Sequence, residues 1–385
     1  MKEEVLKQLA GYDRIAQEIA VTQRYGVDYS AQTGSAAATI DLLHPARLQL
    51  KVVDIIQETP SAMTFRLASR DGYLPPFQAG QYIALAAEVG GVRTSRPYSI
   101  SSSPTQVGYY DLTVRRVEDG LISNHLLDRL RRGDELTGSG PAGHFYHQPL
   151  FHDRSLVFLA GGSGITPFMS MIRETVETGL DRTLHLFYGN REFSDVIFHE
   201  RLMDLAARFE NFHYHPVIEH PSAGYDGLTG LITGRLLAGT LGDLSGKTFY
   251  LCGPQGMYDF VLPELEALGL ARRKIRREVY GPPQGVSHSP GWPEEIRPSD
   301  AFRVSVGGRS AFQARAGEPL LAALERRGYG VPSLCRSGEC SMCRIRIVSG
   351  RVFMPAGTPL RKSDHWFGYV HSCVSYPLSD LEIVL

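Results

Sequence analysis

The chain has 385 residues, 43% hydrophobic and 21% charged, with a formal net charge of −1. At roughly 100–200 residues per domain, that composition implies two to four soluble domains. The balanced charge argues against a global attraction to nucleic acid or anionic lipid, and no apolar run approaches the ~20 residues of a membrane span. The start, "MKEEVLKQLAGYDR", lacks the apolar core of a signal peptide, so the sequence reads as cytoplasmic.

In chain order, apolar residues at helical spacing (Val5, Leu6, Leu9, Ile15, Ile19) predict one or two helices within 2–25. "SAQTGSAAAT" at 30–39 is small and polar and reads as a linker, making 1–47 a helical N-terminal extension. From 48 to 150, short segments such as "LQLKVVDIIQ", "AMTFRLAS" and "YYDLTVRRVE" lie between Gly, Pro and Ser clusters. That texture predicts an antiparallel β-barrel. From 151 to 280 it changes to strand–helix alternation ("LVFLAGG", "PFMSMIRETVET", "TLHLFYGN", "HERLMDLAARF"), which predicts a doubly wound parallel α/β sheet. "YGPPQGVSHSPGWPEEIRPSD" has five prolines and no period, so 281–300 reads as an extended interdomain linker. Residues 301–385 hold four of the five cysteines.

Within "CRSGECSMC", Cys335, Cys340 and Cys343 give C-x4-C-x2-C, and Cys373 follows after 29 intervening residues. This is the plant-type spacing for a [2Fe–2S] cluster, whose two irons need two soft thiolates each. Small loop residues (Ser337, Gly338, Ser341) let backbone N–H groups approach the sulfur atoms. A zinc site is the competing reading, but it favours paired C-x2–4-C knuckles and only one such pair is present. The flanks are a helix in "GEPLLAALERRGYGVPSLC", an alternating strand in "RIRIVSGRV", and "HSCVSYPLSDLEIVL", read as a terminal strand carrying Cys373. The order resembles the α+β β-grasp ferredoxin domain. The resemblance departs at Ser341, where such loops often have Gly.

In the barrel region, "SRPYSIS" supplies Arg96, Pro97, Tyr98 and Ser99, and "EDGLISNHL" supplies Gly120, Leu121, Ile122 and Ser123. R-x-Y-S followed by G-x-x-S resembles the ferredoxin–NADP reductase superfamily over about 48–280. The resemblance implies that Tyr98 stacks on a flavin ring, Ser99 reaches its N5, Arg96 binds phosphate, and Ser123 opens a helix that receives pyrophosphate. An aromatic face, a forked cation and a positive helix end suit a flat ring with an anionic tail. Val114, Arg115 and Arg116 in "LTVRRV" lie toward the expected adenosine side. FAD is the expected flavin, with FMN the alternative found in some fused reductases of the phthalate dioxygenase reductase type.

"LVFLAGGSGITPFMSMI" is a strand, a glycine turn (Gly161, Gly162, Gly164) and a helix expected to start near Pro167. It matches the superfamily's G-G-[ST]-G-I-[TA]-P, which implies that Thr166 lies between flavin and nicotinamide. "YLCGPQGM" contributes Cys252, Gly253, Pro254 and Met257 at a strand's C-terminal end, and the resemblance sets Cys252 beside nicotinamide C4. Asn190 and Arg191 follow the second strand, where the adenosine ribose is read; NADH and NADPH both remain open. "RREVYG" resembles the reductase ending Glu-Val-Tyr, which implies a gating role for Tyr280 and a proton-balancing role for Glu278.

Together these readings imply a multidomain NAD(P)H:acceptor oxidoreductase. Hydride would pass to the flavin, then single electrons to the cluster, then to a partner metalloenzyme such as an oxygenase or hydroxylase. The alternative is a stand-alone flavin, quinone or small-molecule reductase with an accessory cluster. Residues 301–385 carry ten Arg and one Lys against six acidic residues, with Arg336, Arg344 and Arg346 flanking the cluster. An acidic docking face on the acceptor is therefore expected. A flexible 281–300 linker would let the ferredoxin domain swing between flavin and acceptor.

Overall fold

The computed structural model describes Lys7 and residues 11–26, 34–308 and 310–385. The chain divides into two compact units, Met1–Pro45 and Ala46–Leu385. The first contains helices α1 (Tyr12–Tyr25) and α2 (Ser35–Leu43), neither of which buries a residue. Val5, Leu6 and Leu9 lie outside the described residues. Helix α2 overlaps the stretch expected to be a linker. The run from Ser35 carries three consecutive alanines and no Gly or Pro, so helix propensity outweighs its small, polar look.

The second unit is built on three sheets. In the first, β1 (Leu48–Thr59), β2 (Ala62–Ser69), β3 (Tyr82–Val89), β4 (Val92–Ser99), β5 (Tyr110–Arg115) and β6 (Glu135–Gly138) run in the order β4-β3-β6-β1-β2-β5. All its pairs are antiparallel, and an isolated bridge between Ile100 and Leu112 joins the two ends into a barrel. Leu48, Leu50 and Val52 point inward while Gln49 and Lys51 face water, the period-two pattern of a half-buried strand. Helix α3 (Leu121–Arg129) closes one side, burying Ile122 and Leu126.

The second sheet is parallel: β7 (Ser155–Gly161), β8 (Thr183–Asn190), β9 (Phe212–Ile218), β10 (Leu228–Thr229), β11 (Lys247–Cys252) and β12 (Ile275–Glu278), ordered β10-β9-β8-β7-β11-β12. Separate apolar clusters cover its two faces, one around Phe158, Phe168 and Tyr188, the other around Leu159, Phe249 and Val261. The central strands β7 and β11 are therefore apolar along nearly their whole length. Strand order reverses between β7 and β11, which opens a ligand crevice outside their carboxyl ends. Helices α4 (Ile165–Thr178), α5 (His199–Arg208), α6 (Gly234–Leu241) and α7 (Gln255–Ala267) flank the sheet. Helix α4 begins two residues before Pro167. Proline is tolerated there because first-turn N–H groups have no intrahelical acceptor.

The third sheet comprises β13 (Ala301–Val306), β14 (Ser310–Arg315), helix α8 (Leu320–Arg326), β15 (Arg344–Ser349), the short β16 (Val352–Phe353), helix α9 (Lys362–Trp366), β17 (Tyr369–His371), β18 (Tyr376–Pro377) and β19 (Leu381–Val384). Five strands run β14-β13-β19-β15-β17, while β16 and β18 pair separately. Helix α8 buries Leu320, Ala323 and Leu324 against this sheet in a β-grasp arrangement, and Leu321 against Cys343, Cys373 and Val374.

Two expectations are corrected here. Cys373 is not on the terminal strand, which is β19; it sits in the turn Ser372–Val374 after β17. Ser372 fixes that turn by donating from its backbone N–H (3.0 Å) and its hydroxyl (2.7 Å) to the Cys343 carbonyl. Residues 281–300 are not a free tether either. Val286 is buried with Phe353, Tyr376 and Leu378. The Trp292 ring meets Phe353 edge-on at 5.2 Å, and its indole N–H donates to the Ile296 carbonyl at 2.9 Å. The proline-rich stretch also carries apolar side chains, and the β16–β18 pair has an uncovered apolar face for them.

Candidate functional site

Strand β4 carries Arg96 to Ser99, and register with β3 sets Ser99 opposite Tyr82 and Tyr98 opposite Ile83. Pro97 and Ser99 are buried, and Arg96 and Tyr98 half-buried. Arg96 Nη1 donates to Thr94 Oγ1 at 2.7 Å and to the Ser95 carbonyl at 2.8 Å. Burial, and then the nearby Arg336 cation, push the Arg96 guanidinium down to about 10. Two crowded cations facing the single carboxylate Glu325 leave positive charge unmatched, which an anionic phosphate would satisfy. Burial raises the Tyr98 hydroxyl above its ordinary range, so the ring presents a neutral aromatic face.

Gly120 precedes α3, where any Cβ would meet Ser123 Oγ at 2.3 Å. Ile122 faces the barrel core and Leu121 faces water, so neither side chain joins Arg96. Val114 is also core. Arg115 turns toward the parallel sheet and pairs with Asp195, whose Oδ1 accepts from Thr59 and Ser61, both at 2.6 Å. Arg116 pairs with Asp128 at the surface. Both arginines thus have carboxylate partners within the protein.

At the reversal of the parallel sheet, two backbone turns approach each other. A Cβ on Gly164 would lie 2.1 Å from the Cys252 carbonyl, and Gly162 adopts φ 52° directly beneath the Arg115 guanidinium. Only glycine fits the first position, and glycine is favoured at the second. The Met257 sulfur packs against Gly161 and Gly253. Thr166 is buried in the first turn of α4 and donates to the Ser163 carbonyl at 3.0 Å. Pro254 caps α7. Asn190 ends β8 in a buried position, and Arg191 after it is exposed. The turn is a cradle that a side chain would fill, with a helix N-terminus at its back, and this fits a pyrophosphate.

Cys252 pairs in register with Ala160 on one side and Glu278 on the other. It is fully buried; burial first, then the charge of Glu278, hold its thiol well above the ordinary range. Glu278, also buried, is raised by desolvation first and then by the nearby Glu339 and Cys335. Tyr280 is 36% exposed as a residue, but its hydroxyl bonds Ser99 and lies against Cys252. Ser99, Tyr280, Cys252 and Glu278 therefore form one contiguous chain from barrel to parallel sheet.

The four remaining cysteines converge. Cys335, Cys343 and Cys373 are buried and Cys340 is partly open. The backbone N–H groups of Ser337 (3.4 Å) and Cys340 (3.3 Å) point at Cys335 Sγ. Hydrogen bonds from Cys340 and Cys373 push the Cys335 thiol down, and one from Cys373 brings Cys343 down to about 7. Cys340 and Cys373 are raised in return. Among the described residues no group of three or more His, Cys, Asp or Glu surrounds a single metal ion. Cys335 bonds both Cys340 and Cys373, and Cys373 also bonds Cys343, so the four thiols form one contiguous donor set that fits two irons taking two thiolates each. Ser341 adopts φ 59°, a left-handed conformation that favours glycine, which accounts for glycine in similar loops.

This loop lies against the barrel. Thr94 Oγ1 donates to Glu325 Oε2 at 2.9 Å and accepts from Arg336 Nη2 at 2.9 Å; Arg336 and Glu325 form a buried ion pair. The Ser95 and Ser333 hydroxyls are 3.3 Å apart. Tyr82 is buried beside Ser99's strand, and its hydroxyl is raised by desolvation and then by Cys335, Cys340 and Glu278.

Family models match along the chain in the same order: an oxidoreductase FAD-binding domain at 47–147, an oxidoreductase NAD-binding domain at 158–262 and a 2Fe-2S iron-sulfur cluster binding domain at 304–378. A glycine betaine monooxygenase reductase subunit of Pseudomonas aeruginosa is 30% identical over 87% of this chain and 94% of its own length. NADH oxidoreductase HCR of Escherichia coli is 33% identical over 86% and 96%. The chain belongs to the family of ferredoxin–NADP reductase-type flavoproteins with a fused [2Fe–2S] ferredoxin domain. The fold agrees: the structure of phthalate dioxygenase reductase aligns at TM-score 0.64 and 25% identity over 88% of this chain and 97% of that one.

The family comprises NAD(P)H-dependent electron-transfer reductases, and this reductase has domains for FAD, NAD and a 2Fe–2S cluster. Among the described residues no helix is long and apolar enough to cross a membrane. Sequence reasoning missed Tyr82, Thr94, Glu325 and Glu339, which link barrel to cluster loop. It also missed Tyr258, whose hydroxyl bonds the Gly253 N–H at 3.1 Å and the Glu278 carbonyl, tying together the ends of β11 and β12. These are common residue types with no local motif. Arg336, read as part of an outward basic collar, is turned inward.

Proposed function

We propose that this chain carries electrons from NAD(P)H to a protein partner of the multicomponent-oxygenase kind, one that presents an acidic docking face. The carrying observation is the junction at Tyr280 and Glu278. There the flavin strand (Ser99), the nicotinamide strand (Cys252) and the surroundings of Cys335 come within one side chain of each other. When bound, FAD would take up the two electrons of one hydride and give them up singly to a [2Fe–2S] cluster, which carries one at a time.

The chain's own residues do the rest. Arg96 and the N-terminus of α3 hold the flavin phosphates, and Tyr98 covers the ring. The glycine turn at 161–164 and α4 hold the dinucleotide pyrophosphate. Neutral Cys252 and Thr166 flank the nicotinamide without adding charge. Tyr280 occupies the slot between Ser99 and Cys252 until the nicotinamide displaces it. Burial holds the Glu278 carboxyl well above its ordinary range, which disfavours negative charge beside the cysteine loop. The four cysteines take the cluster. The partner class is supported by relatives named as reductase subunits of monooxygenases, and the acidic face by the excess of arginine in 301–385. These roles are consistent with work in the cytoplasm.

A Cys373→Ser variant tests the relay. With NAD(P)H it should reduce ferricyanide at the wild-type rate and lose at least 100-fold in reduction of a one-electron protein acceptor. Undiminished turnover of that protein acceptor would refute the assignment.

A further inference from the structure

The cysteine loop has two sides. Its first half, from Ser333 to Arg336, rests on β4 of the barrel. Its second half opens outward at Met342, 48% exposed between two cysteines. Along β15 the alternation turns Ile345 into the core and leaves Arg344, Arg346 and Val348 exposed. Arg344 bonds Asp364 of α9 at 2.8 Å and lies over the Tyr369 ring, which puts α9 on this same face. The chain leaving α9 carries Trp366, 78% exposed, and Phe367, 64% exposed. The next residue, Gly368, accepts a backbone bond of 2.8 Å from the Ile347 N–H, which ties the segment carrying the aromatic pair to β15.

We propose that the acceptor protein docks on this outer face, built from Met342, Arg346, Val348, Trp366 and Phe367. The proposal rests on the reading that the cysteines carry an electron-relaying cluster. Large, adjacent, water-facing aromatics next to arginine are the residue types that anchor protein interfaces. Arg361, Lys362 and His365 are exposed around them and Asp364 is buried on Arg344, so these cations outnumber the half-exposed Glu382 of the neighbouring β19. The occupant is therefore a one-electron carrier with an apolar patch rimmed by Asp and Glu. A second copy of this chain is disfavoured, because a two-fold contact would set the basic rim against itself. Cys343 immediately precedes β15, so this face lies next to the thiolates. It is also separate from the barrel contact, so a partner can bind without undocking the loop from the flavin strand.

The test uses the holoprotein with NADH and two small haem proteins of opposite surface charge, acidic cytochrome b5 and basic cytochrome c. For wild type, the b5 rate should fall with added salt and the cytochrome c rate should rise. Arg346→Glu and the double variant Trp366→Ala/Phe367→Ala should each lower the second-order rate with b5 at least tenfold. Ferricyanide reduction and iron content should stay unchanged. A b5 rate that is flat or rising with salt, or unaltered in both variants at full iron content, overturns the proposal. Failure of the underlying relay reads differently: the cluster absorbance of the wild type would then not bleach with NADH in the absence of air.

Discussion

Replacing Thr94 with valine keeps the shape of β4 and removes one hydroxyl. That hydroxyl bonds Glu325 and Arg336, both at 2.9 Å, and Arg96 at 2.7 Å. Two of these bonds cross from the barrel to the cysteine domain. Glu325 and Arg336 are 8% and 6% exposed, so water does not replace the lost partner while the contact stays closed. Hydrogen bonds to charged groups contribute roughly 1.5–3 kcal/mol each. The surviving Arg336–Glu325 pair compensates in part, which favours the lower end, about 3 kcal/mol for the two bonds together. That corresponds to roughly 100-fold weaker docking of the loop on the barrel. In the undocked state both groups hydrate, so the change acts on docking more than on folding of either part. The assay is stopped-flow bleaching of the cluster after mixing with NADH, with hydrogen exchange read over 92–99 and 320–326. Cluster reduction should slow at least tenfold and both segments should exchange faster, while flavin and iron contents stay the same. A rate within twofold of wild type with unchanged exchange would refute the reasoning.

Tyr280→Ser should tighten binding of oxidised NAD(P) about tenfold, since no ring need be displaced from between Ser99 and Cys252; an unchanged Kd by spectral titration removes Tyr280 as a gate. His185 is held at about 4, below its usual 6.5, by burial and then by His213, His215 and Lys247. Its proton is therefore taken up preferentially by the unfolded chain. Stability is complete above about pH 6.5 and falls as pH drops toward 4. Complete burial would make this about 3.4 kcal/mol, and solvent screening of the partly exposed ring reduces it to about 1–2 kcal/mol. His185→Gln should flatten thermal stability between pH 7 and 5 by that amount, and an unchanged slope by calorimetry counts against it.

The turns proposed to hold the ligands were readable because each is a local backbone requirement written in consecutive residues. C-x4-C-x2-C brings three thiols into one loop, G-G-S-G-I-T-P forces a tight turn into a helix, and R-P-Y-S puts a cation and a ring on neighbouring positions of one strand. The same locality explains what a short window leaves out. Arg115 reads as free on the expected adenosine side, but Asp195, 80 residues away, pairs with it. Val114 and Ile122 belong to the barrel core because of the curvature of that sheet, which no short window reveals. The proline-rich 281–300 looked free because its aromatic and aliphatic partners, Phe353 and Tyr376, lie far along the chain.

By itself, then, the sequence determined which cofactors the chain is built for and the order in which its domains occur. The tertiary structure decided how those domains meet. Thr94 and Glu325 are 231 residues apart, and neither stands in a motif. Their contact exists because the barrel and the β-grasp domain present complementary polar groups where water is excluded. Burial made that pairing strong, turned Arg336 inward, and left Trp366, Phe367 and Arg346 as the face turned to the outside.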